Sequence, residues 1–130
     1  CLDSRLYTRN KILQLRKLII PALESFLEKD ETGYEHVMPS YTHVQHAQPI
    51  SVAFWLSHYV AAYLRDLSRL KHAFNTADEN PLGSGAIAGS SFNIDRMLTT
   101  KLLGFQKVLE HCLDACSARD FLLESTSAVA

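Results

Sequence analysis

Apolar residues along the chain recur at spacings of three and four, which is the pattern of helices with a buried side. The clearest stretch covers 51–77, where one stripe contains Val52, Leu56, Tyr59, Tyr63, Leu67, Leu70 and Phe74. This stripe predicts a helix of roughly 40 Å with Ser51 as its N-cap. Further apolar side chains, such as Phe54 and Trp55, widen the stripe. We therefore expect this helix to pack against several partners, some of them from other chains.

Helical spacing also predicts a first helix over 3–30. Pro21 interrupts this helix, and we expect either a kink or a new helical start there. Gly33 is the predicted end of the helix. Two stretches rich in polar residues, Pro or Gly, 34–50 and 79–92, are predicted to be loops, the first of them ordered.

Two shorter patterns complete the helical prediction. One predicts a helix over about 93–103, with Asn93 as N-cap and Gly104 as its end. The other predicts a last helix from about Val108 to the end of the chain. No stretch alternates apolar and polar residues as strands do. We therefore predict an all-α fold, a long-helix bundle that occupies residues 1–130 as one domain.

Composition excludes several classes of protein. The 130 residues are 47% hydrophobic, enough for a buried core, and their 13 basic and 14 acidic side chains nearly balance. The basic surface of a nucleic-acid-binding protein is therefore missing, and no apolar run has the length of a membrane span. The chain begins without Met and ends without a helix breaker, so we expect an internal piece of a longer protein.

The three cysteines, Cys1, Cys112 and Cys116, do not form the even set of a disulfide framework. Cys112 and Cys116 are four residues apart, but two thiols without a nearby pair of His do not complete a zinc site. We expect reduced thiols that pack as small apolar residues, a cytoplasmic protein and no bound metal.

The segment 41–46 is the first candidate for chemistry. His43 can act as acid, base or charge partner near neutral pH, and the Thr42 hydroxyl and Gln45 amide can hold a carboxylate without ionising. The alternative, favoured by composition alone, is a polar turn whose side chains satisfy buried backbone groups. A metal site made of His36, His43 and His46 fits no standard zinc spacing.

Two further candidates are weaker taken alone. The glycine-rich stretch Gly83–Gly89, which contains Ser84, is either an anion cradle made of backbone N–H groups or a tight connection between helices. Arg119 can clamp a carboxylate with two hydrogen bonds, but Arg followed by Asp is more often a solvated helix surface.

Several segments together resemble one family. Met38–Pro49 (MPSYTHVQHAQP) resembles the Thr-His segment of the fumarase/aspartase superfamily, in the form most similar to the argininosuccinate lyases. Asn80–Gly89 (NPLGSGAIAG) and Ile94–Arg96 are similar to the next segment of these enzymes, and Leu113–Phe121 to the helix after it. Asp3–Tyr7 resembles the stretch that follows their first active-site motif. The matches occur in order over nearly the whole chain.

The resemblance implies the central helical portion of a homotetramer whose active sites are shared between subunits. The implied reaction is the reversible cleavage of argininosuccinate to arginine and fumarate, without metal or organic cofactor, in arginine biosynthesis or the urea cycle. It further implies that His43 is the catalytic His, as proton acceptor or as the group that orients another catalytic group. Thr42 is the implied substrate-binding Thr, and Gln45, Ser84 and Arg119 are assigned to substrate binding or to ordering of the site.

Two segments of these enzymes do not occur in this sequence: the upstream Ser-Arg-Asn-Asp-Gln motif and the downstream Gly-Ser-Ser-x-Met-Pro-x-Lys loop with the catalytic Ser. We therefore expect the 130-residue chain by itself to be inactive. The alternative functions are another lyase of the superfamily, adenylosuccinate lyase or fumarase, and a crystallin-like relative that serves only as an oligomerisation bundle.

Overall fold

A computed structural model describes residues 1–130. Helices account for most of the chain, and the elements are α1 Leu2–Gly33, β1 Val37–Thr42, β2 Gln45–Ser51, α2 Val52–Ala77, β3 Glu79–Asn80, α3 Arg96–Leu102, β4 Lys107–Val108, α4 Cys112–Ser117 and α5 Asp120–Ser127. The chain forms two compact units: the middle unit, 15–68, and the terminal unit, 1–14 with 69–130. The helical class is confirmed, although two short strand pairs accompany the helices.

The first helix is one continuous element of 32 residues with Pro21 inside it. A proline removes one backbone hydrogen bond and crowds the preceding turn. The long helical stretches on both sides of Pro21 nevertheless keep the backbone helical, so the expectation of a new helical start there is wrong. The predicted end at Gly33 is confirmed.

The middle unit is held together by packing between α1 and α2. The Phe26 ring stacks on Tyr59 and Tyr63, with centroid distances of 5.9 and 6.2 Å. At the start of α2 the Ser51 hydroxyl accepts a hydrogen bond of 3.0 Å from the backbone N–H of Phe54. The predicted N-cap is therefore confirmed, because this bond satisfies one of the free N–H groups of the first helical turn.

Between the two long helices the chain forms an antiparallel β-hairpin of β1 and β2. The prediction of a loop over 34–50 is wrong here. Most residues of the two strands are exposed and none is buried, so no alternation of apolar and polar residues marks the strands. Pro39 and Pro49, which indicated a loop, are paired with each other across the hairpin. A two-stranded ribbon consists only of edge strands, and edge strands tolerate proline.

The terminal unit has its own apolar core, in which Leu70, Ala73, Ala77, Phe105, Ala115 and Phe121 are buried. The buried Arg5 guanidinium lies 4.3 Å above the Phe121 ring and donates a hydrogen bond of 2.7 Å to the carbonyl of Thr76. Burial lowers the pKa of Arg5 from its ordinary value, and the nearby carboxylate of Glu79 opposes this shift. The strands β3 and β4 pair in parallel.

In the terminal unit the predicted N-cap of the short helix needs correction. The short helix α3 is capped by Asp95 rather than Asn93, since the Asp95 carboxylate accepts a hydrogen bond of 2.9 Å from the N–H of Leu98. Gly104 follows this helix with φ +67, the left-handed conformation expected of a glycine after a helix end.

The predicted last helix from Val108 onward is instead a strand and two short helices. Lys107 and Val108 pair with β3, and the N–H of Leu109 donates a hydrogen bond of 3.0 Å to the carbonyl of Asn80. His111 then caps α4, and Ala118, with φ −56 and ψ 129, separates α4 from α5. None of the helices has the length and apolar character required to cross a membrane.

Candidate active site

The hairpin turn consists of two residues, His43 and Val44, with φ angles of 51° and 62°. Two successive left-handed residues between antiparallel strands correspond to a type I′ turn, which normally contains Asn-Gly. A β-branched residue such as Val rarely adopts this conformation. Strained residues of this kind cost on the order of 1–3 kcal/mol each and concentrate at functional sites. The strain therefore marks this turn as a candidate site independently of any motif.

Two side-chain contacts lie next to this turn. The Tyr41 hydroxyl is 3.2 Å from Nε2 of His46, and the two rings are 4.9 Å apart across the strands. The Ser40 hydroxyl donates a hydrogen bond to the Gln48 carbonyl, at the irregularity that shifts the register between β1 and β2. The strands next to the turn are therefore fixed by side chains as well as by backbone pairing.

The candidate residues at the tip are all exposed. Thr42 and Gln45 are direct partners across the strands, and His43 follows Thr42 at the first turn position. The interpretation that these side chains satisfy buried backbone groups is not supported, because none of the three is buried. The hairpin tip thus carries an exposed hydroxyl, imidazole and amide on adjacent or paired residues, which is a donor set suited to a carboxylate ligand.

Ser84 lies in the terminal unit and is 2% exposed. Its hydroxyl donates a hydrogen bond of 2.7 Å to the carbonyl of Pro81 and accepts one of 3.1 Å from Nη2 of Arg96. The same guanidinium donates to the carbonyls of Leu82, at 2.9 Å, and Leu109, at 2.8 Å. Ser84 and Arg96 together therefore fix the glycine-rich stretch against the segment that follows β4.

The glycines are required by the closure of this loop. A Cβ on Gly85 (φ +64) would lie 2.1 Å from the carbonyl oxygen of Gly89. The Gly89 N–H donates a hydrogen bond of 2.7 Å to the carbonyl of Ser84 and closes the turn. A Cβ on Gly83 would lie 2.8 Å from Cγ of Arg96. Close backbone approach thus accounts for these glycines.

A cavity of about 530 Å³ lies beside the glycine-rich loop in the terminal unit. Its lining includes Ser84, Ser90, Cys1 and Cys116. The Cys116 thiol donates a hydrogen bond of 3.2 Å to the carbonyl of Gly85, and all three cysteines are unpaired. The loop therefore borders an open space large enough for a small molecule.

Arg119 is exposed and directly precedes α5. Its Nη1 atom donates hydrogen bonds to the carbonyls of Cys116, at 3.0 Å, and Ala118, at 2.7 Å, and lies 2.8 Å from the sulfur of Cys1. These carbonyls lie at the end of α4, where backbone acceptors lack helical partners. Arg119 thus stabilises the break between α4 and α5.

Sequence reasoning missed two residues that organise the glycine-rich loop. In the sequence Arg96 stands only in the Ile94–Arg96 motif, and its contacts come from residues distant in the sequence. Asn80 is fully buried, donates to the Thr100 hydroxyl at 2.8 Å and accepts from the N–H of Leu82 at 2.9 Å. The hydrogen bond from the Leu82 N–H to the Asn80 side chain forms a local turn, and the Asn-Pro pair at 80–81 was a sequence signal for it.

The structure thus distributes the predicted site residues over two units. Thr42, His43 and Gln45 lie together at the hairpin tip in the middle unit. Ser84 and Arg119 lie in the terminal unit, each engaged in hydrogen bonds within that unit. The middle unit is therefore the one that brings several exposed candidate side chains together.

Comparison with known proteins places these features in context. A family model described as "Lyase" matches residues 2–130. The argininosuccinate lyase of Haloarcula marismortui is 46% identical over 130 residues, which cover 100% of this chain and 26% of that protein. The argininosuccinate lyase of Clostridium botulinum is 42% identical over 128 residues, which cover 98% of this chain and 28% of that protein. The chain thus spans about a quarter of the length of these relatives.

Solved structures show the same fold. EDDS lyase in complex with formate superposes with a TM-score of 0.94 at 24% identity, over 98% of this chain and 26% of that chain. The fumarate lyase:delta crystallin from Brucella melitensis bound to cobalt superposes with a TM-score of 0.83 at 18% identity, over 96% of this chain and 29% of that chain. At such identities the likeness concerns the fold alone.

Proposed function

The chain belongs to this lyase family, and we propose on that basis that the whole protein is an argininosuccinate lyase. The proposed reaction is the reversible elimination that converts argininosuccinate to arginine and fumarate. It is supported by identities of 41–46% to curated argininosuccinate lyases over nearly the whole chain. The single structural observation that carries it is the strained, exposed turn that presents His43 beside Thr42.

The chemical problem in this reaction is the removal of a weakly acidic C–H proton next to a carboxylate. The resulting dianion must be met by preorganised hydrogen-bond donors, and an acid must protonate the departing guanidino nitrogen. We assign His43 to this acid–base chemistry, as proton acceptor or as the group that orients another catalytic group. The Thr42 hydroxyl and the Gln45 amide would donate hydrogen bonds to a substrate carboxylate.

The residues of the terminal unit have a supporting part in this proposal. Ser84 is buried with its hydroxyl engaged, so its role would be to shape the loop beside the cavity. Arg119 uses Nη1 for backbone carbonyls, which leaves the other guanidinium N–H groups for a substrate carboxylate.

We further propose a homotetramer with active sites shared between subunits. The support is the exposure of large apolar residues along α2, including Phe54 at 67% and Leu64 at 56%. Such surfaces are normally covered by a partner. A two-stranded hairpin is marginally stable by itself in water, so its exposed tip also requires support. A cytoplasmic location and a part in arginine biosynthesis belong to the same proposal.

Replacing His43 with asparagine in the full-length protein tests the function. We expect kcat for argininosuccinate cleavage to fall about 100-fold or more, because an amide cannot exchange a proton near neutral pH. His36→Asn is the matched control, since His36 is an exposed histidine of the same unit. Its activity should stay near that of the parent, and size-exclusion chromatography should show the same assembly for both variants. Unchanged activity of His43→Asn would refute the catalytic assignment.

The alternative functions are separated by a substrate panel on the full-length protein. Argininosuccinate, adenylosuccinate and malate would each be supplied as substrate. The formation of fumarate would be followed by absorbance. Turnover of adenylosuccinate or malate without turnover of argininosuccinate would favour another lyase of the superfamily. A well-assembled protein inactive on all three would favour a structural, crystallin-like role.

A further inference from the structure

The cross-strand pair of Tyr41 and His46 has no part in the chemistry described above. We propose that these two residues are positioning residues, which hold the His43–Val44 turn in its left-handed conformation and so fix the direction of the His43 imidazole. This inference rests on the proposed function, because the benefit of a fixed imidazole is catalytic. It concerns residues that touch each other rather than the substrate.

The turn needs such support because its own residues disfavour it. Val44 has φ 62° and is 91% exposed, so no packing within the chain compensates for its conformation. Asn-Gly, the usual occupant of this turn type, adopts two left-handed residues far more readily than His-Val. A hairpin with this tip would exchange among several turn conformations unless the strands were fixed close to it.

The Tyr41–His46 pair is placed where it can do this. Tyr41 and His46 are Cα partners, and only the Thr42–Gln45 pair lies between them and the turn. The hydroxyl-to-Nε2 distance of 3.2 Å and the ring distance of 4.9 Å join the strands through side chains. Directly opposed aromatic side chains are effective cross-strand pairs. The intervening Thr42 and Gln45 side chains are thereby left for the substrate.

Beyond this pair the strands are irregular, which makes its contribution necessary. The register shifts between Pro39 and Tyr41, where Ser40 donates to the Gln48 carbonyl. Pro39 and Pro49 provide no backbone N–H donors for the next pair. The regular part of the hairpin next to the tip is therefore short, and the Tyr41–His46 contact is its last side-chain link before the turn.

The test uses His46→Val and Tyr41→Phe in the full-length protein. Loss of the pair should lower kcat about 10- to 100-fold while KM changes little, because a misplaced catalytic group slows the reaction without weakening uniform binding. His46→Gln, which retains a hydrogen-bond partner for the Tyr41 hydroxyl, should keep more activity than His46→Val. It also preserves a polar strand surface if His46→Val fails to assemble.

A suppressor separates positioning from every other role of the pair. Val44→Gly removes the β-branched side chain, and glycine adopts a left-handed φ without strain. Added to His46→Val or Tyr41→Phe, it should recover most of the lost kcat, whereas alone it should leave activity near the parent level. A structural role elsewhere, or direct chemistry by Tyr41, predicts no recovery.

The outcomes distinguish the two proposals. Full activity of both His46→Val and Tyr41→Phe overturns the inference, as does a loss of kcat that Val44→Gly fails to reverse. Full activity of His43→Asn overturns the proposed function itself. A loss of activity in His43→Asn, together with unaffected pair variants, leaves the function standing and removes only the positioning role.

Discussion

Replacing Gly85 with alanine asks whether the glycine-rich loop is closed as tightly as the structure shows. Gly85 has φ +64, and a Cβ there would lie 2.1 Å from the carbonyl oxygen of Gly89. That contact is with backbone, which cannot move aside as a flexible side chain can. The loop would have to open, and the hydrogen bond from the Gly89 N–H to the Ser84 carbonyl would be strained or lost.

Three contributions determine how much Gly85→Ala should lower the free energy of unfolding. The left-handed conformation destabilises an alanine by about 1–2 kcal/mol. Loss of one intramolecular hydrogen bond adds about 1 kcal/mol. Steric overlap relieved by backbone displacement adds on the order of 1–3 kcal/mol. We therefore expect Gly85→Ala to lower the free energy of unfolding by several kcal/mol.

Gly104→Ala is a matched control. Gly104 has nearly the same φ, +67, but the nearest atom to its added Cβ is Nη2 of Arg9 at 3.9 Å. The control therefore carries the conformational contribution without the overlap, about 1–2 kcal/mol. Both full-length variants would be unfolded by heat at one fixed scan rate, since irreversible unfolding makes the midpoint depend on that rate. Gly85→Ala should shift the midpoint at least about twice as far as Gly104→Ala.

Equal shifts for the two variants would refute this reasoning, because the difference between them comes only from the Gly85–Gly89 contact. Activity supplies a second measurement. If the closed loop shapes the cavity beside Ser84, Gly85→Ala should also impair turnover in the protein that remains folded, whereas Gly104→Ala should not.

Two further predictions concern side chains of the terminal unit. Arg96→Lys should lower the free energy of unfolding by about 2 kcal/mol, because one ammonium group cannot reproduce the hydrogen bonds to Leu82, Ser84 and Leu109. An unchanged denaturation midpoint would contradict this. Lys107 forms a hydrogen bond of 2.7 Å with the Glu79 carboxylate, which raises the pKa of Lys107 above its ordinary value of 10.5. The resulting stabilisation is fully present below the unfolded pKa and is lost as pH rises through the folded pKa. Glu79→Gln should return the pKa of Lys107 towards its ordinary value in an NMR titration, and an identical titration curve would exclude the contact.

The long helices and their limits could be predicted because their signals are local. The apolar stripe of α2, the cap at Ser51 and the helix ends at Gly33 and Gly104 each depend on neighbouring residues. The residues at the candidate site, His43 and Thr42, could also be selected from their sequence motif. A motif, however, gives no information on the backbone conformation that presents these side chains.

The hairpin could not be predicted because its strands are exposed on both sides. Without a buried face there is no alternation, and Pro39 and Pro49 indicated a loop. The prediction of one last helix failed for another reason. Lys107 and Val108 pair with β3, which is distant in the sequence, and local helical spacing contains no information on that pairing.

The sequence by itself therefore determined the helical class, the two long helices and the chemical groups at the candidate site, since periodicity and capping are properties of adjacent residues. The tertiary structure alone decided how those groups are presented. It placed His43 and Val44 in a strained left-handed turn, buried Ser84, and gave Arg96 its partners on both sides of the glycine-rich loop. These features depend on contacts between residues far apart along the chain, which no local pattern specifies.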